Sequence, residues 1–217
     1  MKKKSFLAAM KVYRARINEE CPSKDIEAAF DLIIKEIGKL PEEGSKGASL
    51  FEIKQNFSLP SVVSNANDVA IFSDGACRGN PGPGSYGVIA QDQRGEMIFE
   101  RVAVEEDTTN NRMELLGAIV GLETAIEMEL TKGQIYLYSD SKYVVDGINK
   151  WVSGWKKRNW KKADKKDPEN LDLWKRLDQV CEEVGNVSFH WVKGHAGHPQ
   201  NEYCDTLANR ELDSAGF

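Results

Sequence analysis

Cysteine is sparse in this 217-residue chain, and its four copies (Cys21, Cys77, Cys181, Cys204) form no CxxC pair. Neither a zinc site nor a disulfide framework is expected from that spacing, and the thiols read as reduced. Long apolar runs are missing too. No stretch approaches the ~18 residues that a membrane helix needs. The opening MKKKSFLAAMKVYRARINEE has a basic start, but Lys11, Arg14 and Arg16 break the apolar stretch that a signal peptide would continue. A cytoplasmic protein without membrane contact is expected. An excess of positive charge is absent as well: the net charge of −5 argues against coating nucleic acid by bulk charge. There is no internal repeat and no low-complexity segment.

What the chain does have is the composition of a globular protein, 41% hydrophobic and 29% charged. It is long enough for one domain with a sizeable core and something small beside it. Charge is unevenly placed. Residues 1–65 carry 11 basic and 9 acidic side chains, and residues 66–217 carry 18 and 25. Seven of those 18 fall between Lys156 and Lys166, a basic patch on an acidic body that reads as a local binding surface. Phe6, Met10, Tyr13 and Ile17 share one helical face, as do Ile26, Phe30, Ile33 and Ile37, and a third short helix is expected around 50–56. SLPSVVSNAND reads as a linker, so the boundary is placed at 65/66: a helical extension and linker over 1–65, a second domain over 66–217.

Beyond the boundary, strands are expected at 69–73, 87–91 and 97–104, separated by turn-formers. A long helix follows from about 110 to 128, then a buried strand in QIYLYSD. Helices are expected over 141–155 and 170–183, a strand in VSFHWV, and a last helix over 199–212. This order makes a mixed α/β sandwich.

Four acids sit at the ends or on the faces of these apolar elements. Asp74 ends the first strand and Asp140 the fourth; Glu114 lies in the first turns of the long helix and Asp205 on the last helix. Taken singly, Asp140 before Ser141 reads equally well as a helix cap, and Asp74 before Gly75 as a turn. Taken together, carboxylates flanked by core residues repel one another and are costly to desolvate. A divalent cation relieves that repulsion, and oxygen-only ligands suit Mg²⁺ or Mn²⁺. Two such ions can clamp an in-line displacement at phosphorus. Metal-dependent phosphodiester hydrolysis is the chemistry this pattern points to.

Four motifs then agree in order: FSDGACRGNPGPGSYG, TTNNRMELLGAIVGLE, YSDSKYVVDGINKWVSGWKKRNWKKADKK and WVKGHAGHPQNEYCDTLA. Over residues 68–212 the chain resembles the type 1 ribonuclease H family, of the bacterial ribonuclease HI kind. The resemblance implies a five-stranded mixed sheet with flanking helices, to which the α-helical N-terminal segment is added. It implies an endoribonuclease that cuts the RNA strand of RNA/DNA hybrids with two Mg²⁺ ions, Mn²⁺ as a substitute, leaving 5′-phosphate and 3′-hydroxyl ends. A monomer is expected. The family's four carboxylates fall on Asp74, Glu114, Asp140 and Asp205, and its mobile-loop histidine on His195, a proton shuttle or an aid to product release. His190 and His198 read as structural.

The same resemblance places Gly75, Cys77, Asn80, Asn110 and Asn111 along the minor groove of the hybrid, where a ribose 2′-hydroxyl separates RNA from DNA. Asn201 shares a helical face with Asp205. Trp151, Trp155, Lys156 and Lys157 form the basic protrusion against the DNA strand, while Trp160 reads equally as core. Thr109 and Asn170 match the family's DNA phosphate pocket. One departure stands there: Asp107 occupies a position where the family often has arginine, so the pocket binds phosphate more weakly or is rebuilt with Arg112 or a lysine. Residues 1–65 have no counterpart in the minimal enzyme. They bind nucleic acid or pack on the catalytic domain. In the first case, deleting residues 1–63 raises KM and flattens its salt dependence. A nuclease fold kept only to bind hybrids, or one that acts on DNA, are the competing readings. The full set of acids opposes the first and the asparagine-rich motifs oppose the second.

Overall fold

Residues 69–72 (VAIF) are buried on both sides, as befits a strand at the centre of a sheet covered on both faces. The structure is a computed structural model and describes residues 59–194 and 196–217, together with Asp31, Ile34 and Lys35, which are helical. The helices expected near the N-terminus otherwise fall outside the described residues, and so does His195.

Strands β1 (Val69–Cys77), β2 (Gly82–Asp92) and β3 (Met97–Thr108) form an antiparallel meander. Helix α1 (Asn110–Glu127) then crosses over to β4 (Ile135–Ser139), which runs parallel to β1. A helical rod follows, made of α2 (Lys142–Asp146), one wider π-helical turn (Gly147–Trp151) and α3 (Val152–Lys157). Next come α4 (Leu171–Val184), β5 (Val187–Trp191) parallel to β4, and α5 (Pro199–Ser214). The strand order is β3-β2-β1-β4-β5, the five-stranded mixed sheet expected from the sequence.

Alternation along β1 builds two cores. Val69 and Ile71 join Val88, Leu137, the apolar face of α1 and Trp174 of α4. Ala70 and Phe72 join Ile89, Tyr138, Val192, and Cys204 and Leu207 of α5. This period of two turns one strand into the floor of both layers. Val63 is buried in the second core and Leu59 packs against it, so part of the stretch read as linker belongs to this body.

The strands outrun their expected bounds. Gly75, Ala76 and Cys77 pair with Tyr86, Ser85 and Gly84, which leaves only residues 78–81 for the turn. A glycine run reads as a loop because small residues carry no strand signal of their own; pairing with the neighbouring strand decides it. Among the described residues, no helix is long and apolar enough to cross a membrane.

Candidate active site

The parallel pairing of β1 with β4 sets the site. Phe72 lies opposite Tyr138, so Asp74 and Asp140 stand two residues beyond the same step on neighbouring strands. α1 packs across β1 and brings Glu114; α5 packs on the other face and brings Asp205. Gly75 permits the first of these approaches, because a Cβ there would lie 2.6 Å from the Glu114 backbone nitrogen. Gly194 does the same behind Asp140: a Cβ would overlap Oδ2 of that carboxylate.

The electrostatics match the crowding. Asp74 is only 9% exposed, and burial, then the charges of Asp140, Asp205 and Glu114, push its pKa up to about 8, against the lowering effect of the Gly75 N–H. Glu114 is pushed up to about 7, chiefly by burial, with Asp140 adding to it. Three of the four carboxylates rest on their own donors. Asp74 accepts from the Gly75 N–H (2.8 Å) and from Asn201 Nδ2 (3.0 Å). Glu114 accepts from Asn110 Nδ2 (2.7 Å) and from the Ser141 hydroxyl. Asp205 accepts from Asn209 Nδ2 (2.8 Å), and the Trp191 indole N–H holds the Asp140 carbonyl (2.9 Å). Among the described residues, no three His, Cys, Asp or Glu side chains are drawn around one point as metal ligands.

Even so, the donor set fits a hard divalent cation: it is made of oxygen donors only, and Asp74 and Glu114 are pushed well above the usual carboxylate range by burial and by the neighbouring acids. Asn201 carries a second sign of the same kind, since its Oδ1 is buried without a partner.

The residues expected to bind substrate divide into three groups. Gly75, Cys77, Asn80, Thr109, Asn110 and Asn111 lie together where β1 and β2 meet the start of α1; Cys77 Sγ sits 3.6 Å from the Gly82 and Thr108 carbonyls, and the Asn110 N–H donates to Asn80 Oδ1 (3.0 Å). Asn80, Thr109, Asn111, Glu169 and Asn170 line a cleft of about 460 Å³. Arg112, beside it, pairs with Asp172 (3.0 Å) and reaches to 3.5 Å from Asn170 Oδ1. Asp107 is exposed on β3.

The protrusion needs one correction. Trp155 is 8% exposed and stands edge-on to Trp174 in the core, so it offers no face to nucleic acid. Lys156 is exposed and pairs with Asp178 (2.7 Å) and Glu182 (2.6 Å). Trp151 (37% exposed) and Lys157 also lie at the surface. A second correction is Asn201, which is 3% exposed and donates to Asp74, so it offers no surface to substrate. Ser141, Trp191, Gly194 and Asn209 join the site without a role expected for them, although the first three lie within the four motifs. The i,i+4 spacing of Asp205 and Asn209 is the one signal that pointed to a pair.

A five-stranded mixed sheet in this order, flanked by helices, with Asp74 inside β1 rather than at its expected end and Asp140 just past the end of the parallel β4, is the ribonuclease H-like fold. The RNase H family model matches residues 66–213, and the chain belongs to that family. A "Ribonuclease H" of Alcanivorax borkumensis is 51% identical over 146 residues, spanning 67% of this chain and 92% of its own. Among solved structures, LC9-RNase H1, a type 1 RNase H with the type 2 active-site motif, is 36% identical with a TM-score of 0.60, covering 68% of this chain and 72% of that one. LC11-RNase H1 in complex with RNA/DNA hybrid is 26% identical with a TM-score of 0.55, covering 68% and 98%.

Proposed function

We propose that this chain is an endoribonuclease that hydrolyses the RNA strand of RNA/DNA hybrids and leaves 5′-phosphate and 3′-hydroxyl ends. The observation that carries the reading is that Asp74 of β1, Glu114 of α1, Asp205 of α5 and Asp140, one residue past β4, lie near enough for burial and mutual repulsion to raise Asp74 to about 8. Family membership supports it, as does the hybrid bound by LC11-RNase H1.

Mg²⁺, or Mn²⁺ in its place, is the cation this oxygen-only set would take, two per site. Asp74, Asp140 and Asp205 would hold one, and Asp74, Glu114 and Asp140 the other. Bound there, the pair would supply an activated water and neutralise the leaving 3′ oxygen. The chain's own residues do the rest. Asn201 and the Gly75 N–H fix the Asp74 carboxylate, and Asn110 and Ser141 fix Glu114. His195 moves a proton near the scissile phosphate or helps product leave. Gly75, Cys77, Asn80, Asn110 and Asn111 face the minor groove and read the 2′-hydroxyls, and the Asn170 cleft takes a phosphate of the DNA strand. Trp151 and Lys157 extend that surface along the DNA strand. The protein acts as a cytoplasmic monomer.

End-group analysis tests the chemistry. RNA fragments released from an end-labelled hybrid should accept a label from polynucleotide kinase at their 5′ ends only after phosphatase treatment. Fragments carrying 5′-hydroxyl and 3′-phosphate ends would refute the mechanism.

A further inference from the structure

Next to the cleft beside the start of α1 stands Tyr143, within hydrogen-bond reach of its Asn170. We propose that Tyr143 is a positioning residue: its hydroxyl fixes which way the Asn170 amide faces in that cleft. The inference rests on the reading above, that the cleft takes a phosphate of the DNA strand.

A phenol has one proton to give and two lone pairs to receive. All three are committed here. The Tyr143 hydroxyl lies 3.1 Å from the Glu169 carbonyl, an acceptor only, so its proton goes there. Trp174 Nε1, a donor only, lies at 3.0 Å and takes one lone pair. Trp174 is fully buried, which makes that bond costly to lose. The lone pair that remains can only accept, and Asn170 Nδ2 stands 3.2 Å from it. The amide is therefore fixed with nitrogen toward Tyr143 and Oδ1 toward Arg112, whose guanidinium is itself held by Asp172.

Three further observations give the arrangement a use. Asn170 caps α4 from the left-handed region (φ 56°) and makes no side-chain cap bond, so its amide is not needed by the helix. Asn80 Oδ1, of the same cleft's lining, is engaged by the Asn110 N–H. Both asparagines thus have their oxygens occupied, and the amide hydrogens left over suit an anion. The Tyr143 ring is gripped edge-on by Trp174 (5.2 Å between centroids) and Trp151 (6.1 Å), which holds the hydroxyl in place.

The test compares kcat and KM for an RNA/DNA hybrid, in Mg²⁺ at one fixed salt concentration, across Tyr143→Phe, Asn170→Ala, the double variant and Trp174→Phe. Assays run well below each variant's Tm. Tyr143→Phe should raise KM about fivefold and leave kcat within about twofold. Asn170→Ala should do the same, and the double variant should be no worse than Asn170→Ala alone, because both remove one oriented group. Trp174→Phe breaks another bond to the same hydroxyl but leaves the Asn170 bond in place; it should lower Tm at least as much as Tyr143→Phe and raise KM by less, which separates positioning from stability. A wild-type KM in Tyr143→Phe beside a raised KM in Asn170→Ala would overturn the proposal and leave the cleft's role standing. Additive effects in the double variant would also overturn it. An unchanged KM in Asn170→Ala would overturn the phosphate reading of the cleft, and this proposal with it.

Discussion

Asp74 gathers the tension of the site into one side chain. It is buried, faces three other acids and, among the described residues, meets no cationic side chain. Because burial and repulsion raise its pKa to about 8, and that of Glu114 to about 7, the sign of the pH effect is fixed. The stability these groups allow is complete below the ordinary carboxylate range and is lost as pH rises through 7 to 8. The metal-free protein should therefore lose Tm between pH 5 and pH 9. Asp74→Asn should abolish cleavage yet raise the metal-free Tm at pH 8 by roughly 4–8 °C, equivalent to about 2 kcal/mol, and flatten the pH profile. A melting series across pH, without added divalent cation, checks both. Gly194→Ala should push the Asp140 carboxylate aside and lower kcat at least ~10-fold with KM nearly unchanged, in steady-state assays. The four acids were legible in the sequence because they interrupt apolar elements. The spacing of Asn201 one turn before Asp205 put the two on one face, but its burial against Asp74 was not legible, because the packing of α5 on β1 decides it.

At the scale of elements, order and type were readable and the details of pairing were not. Apolar periodicity located β4, β5, α1 and α5 to within a few residues. The extension of β1 and β2 through the glycine run could not be read, since glycine has no side chain to signal a face. The widened turn at Gly147–Trp151 was equally hidden, since a π-turn inserts one residue without changing composition. That rod also sorts the tryptophans. Trp155 packs inward on Trp174 and Trp151 stays half outside, though both lie in one basic segment. Trp155→Ala should cost about 3–5 kcal/mol of stability by denaturant unfolding. Trp151→Ala should cost about 1 kcal/mol and raise KM for the hybrid severalfold.

Across the whole molecule, the body that carries the site includes more chain than the family motifs do. Val63 fills the second core with Phe72, Tyr138 and Leu207, and Asp68 caps the backbone N–H groups of Ser64 and Asn65 (3.3 and 3.1 Å). A cut after residue 58 should spare this core, and a cut after residue 67 should lower Tm by removing Val63. We propose that the basic N-terminal segment adds substrate affinity. Removing residues 1–58 should then raise KM and reduce the slope of log KM against log salt concentration, by about one unit for each phosphate that the segment neutralises. An unchanged slope with a lower Tm would instead mean that the segment packs on the domain.

The most direct measurement is cleavage in Mg²⁺ of four substrates, RNA/DNA hybrid, duplex RNA, duplex DNA and single strands, by the intact chain and by Asp140→Asn, with hybrid binding measured for both. The account predicts that only the RNA strand of the hybrid is cut, and that Asp140→Asn binds the hybrid but does not cut it. Tight hybrid binding by both proteins with cleavage by neither would contradict it and leave a binding module built on a nuclease fold.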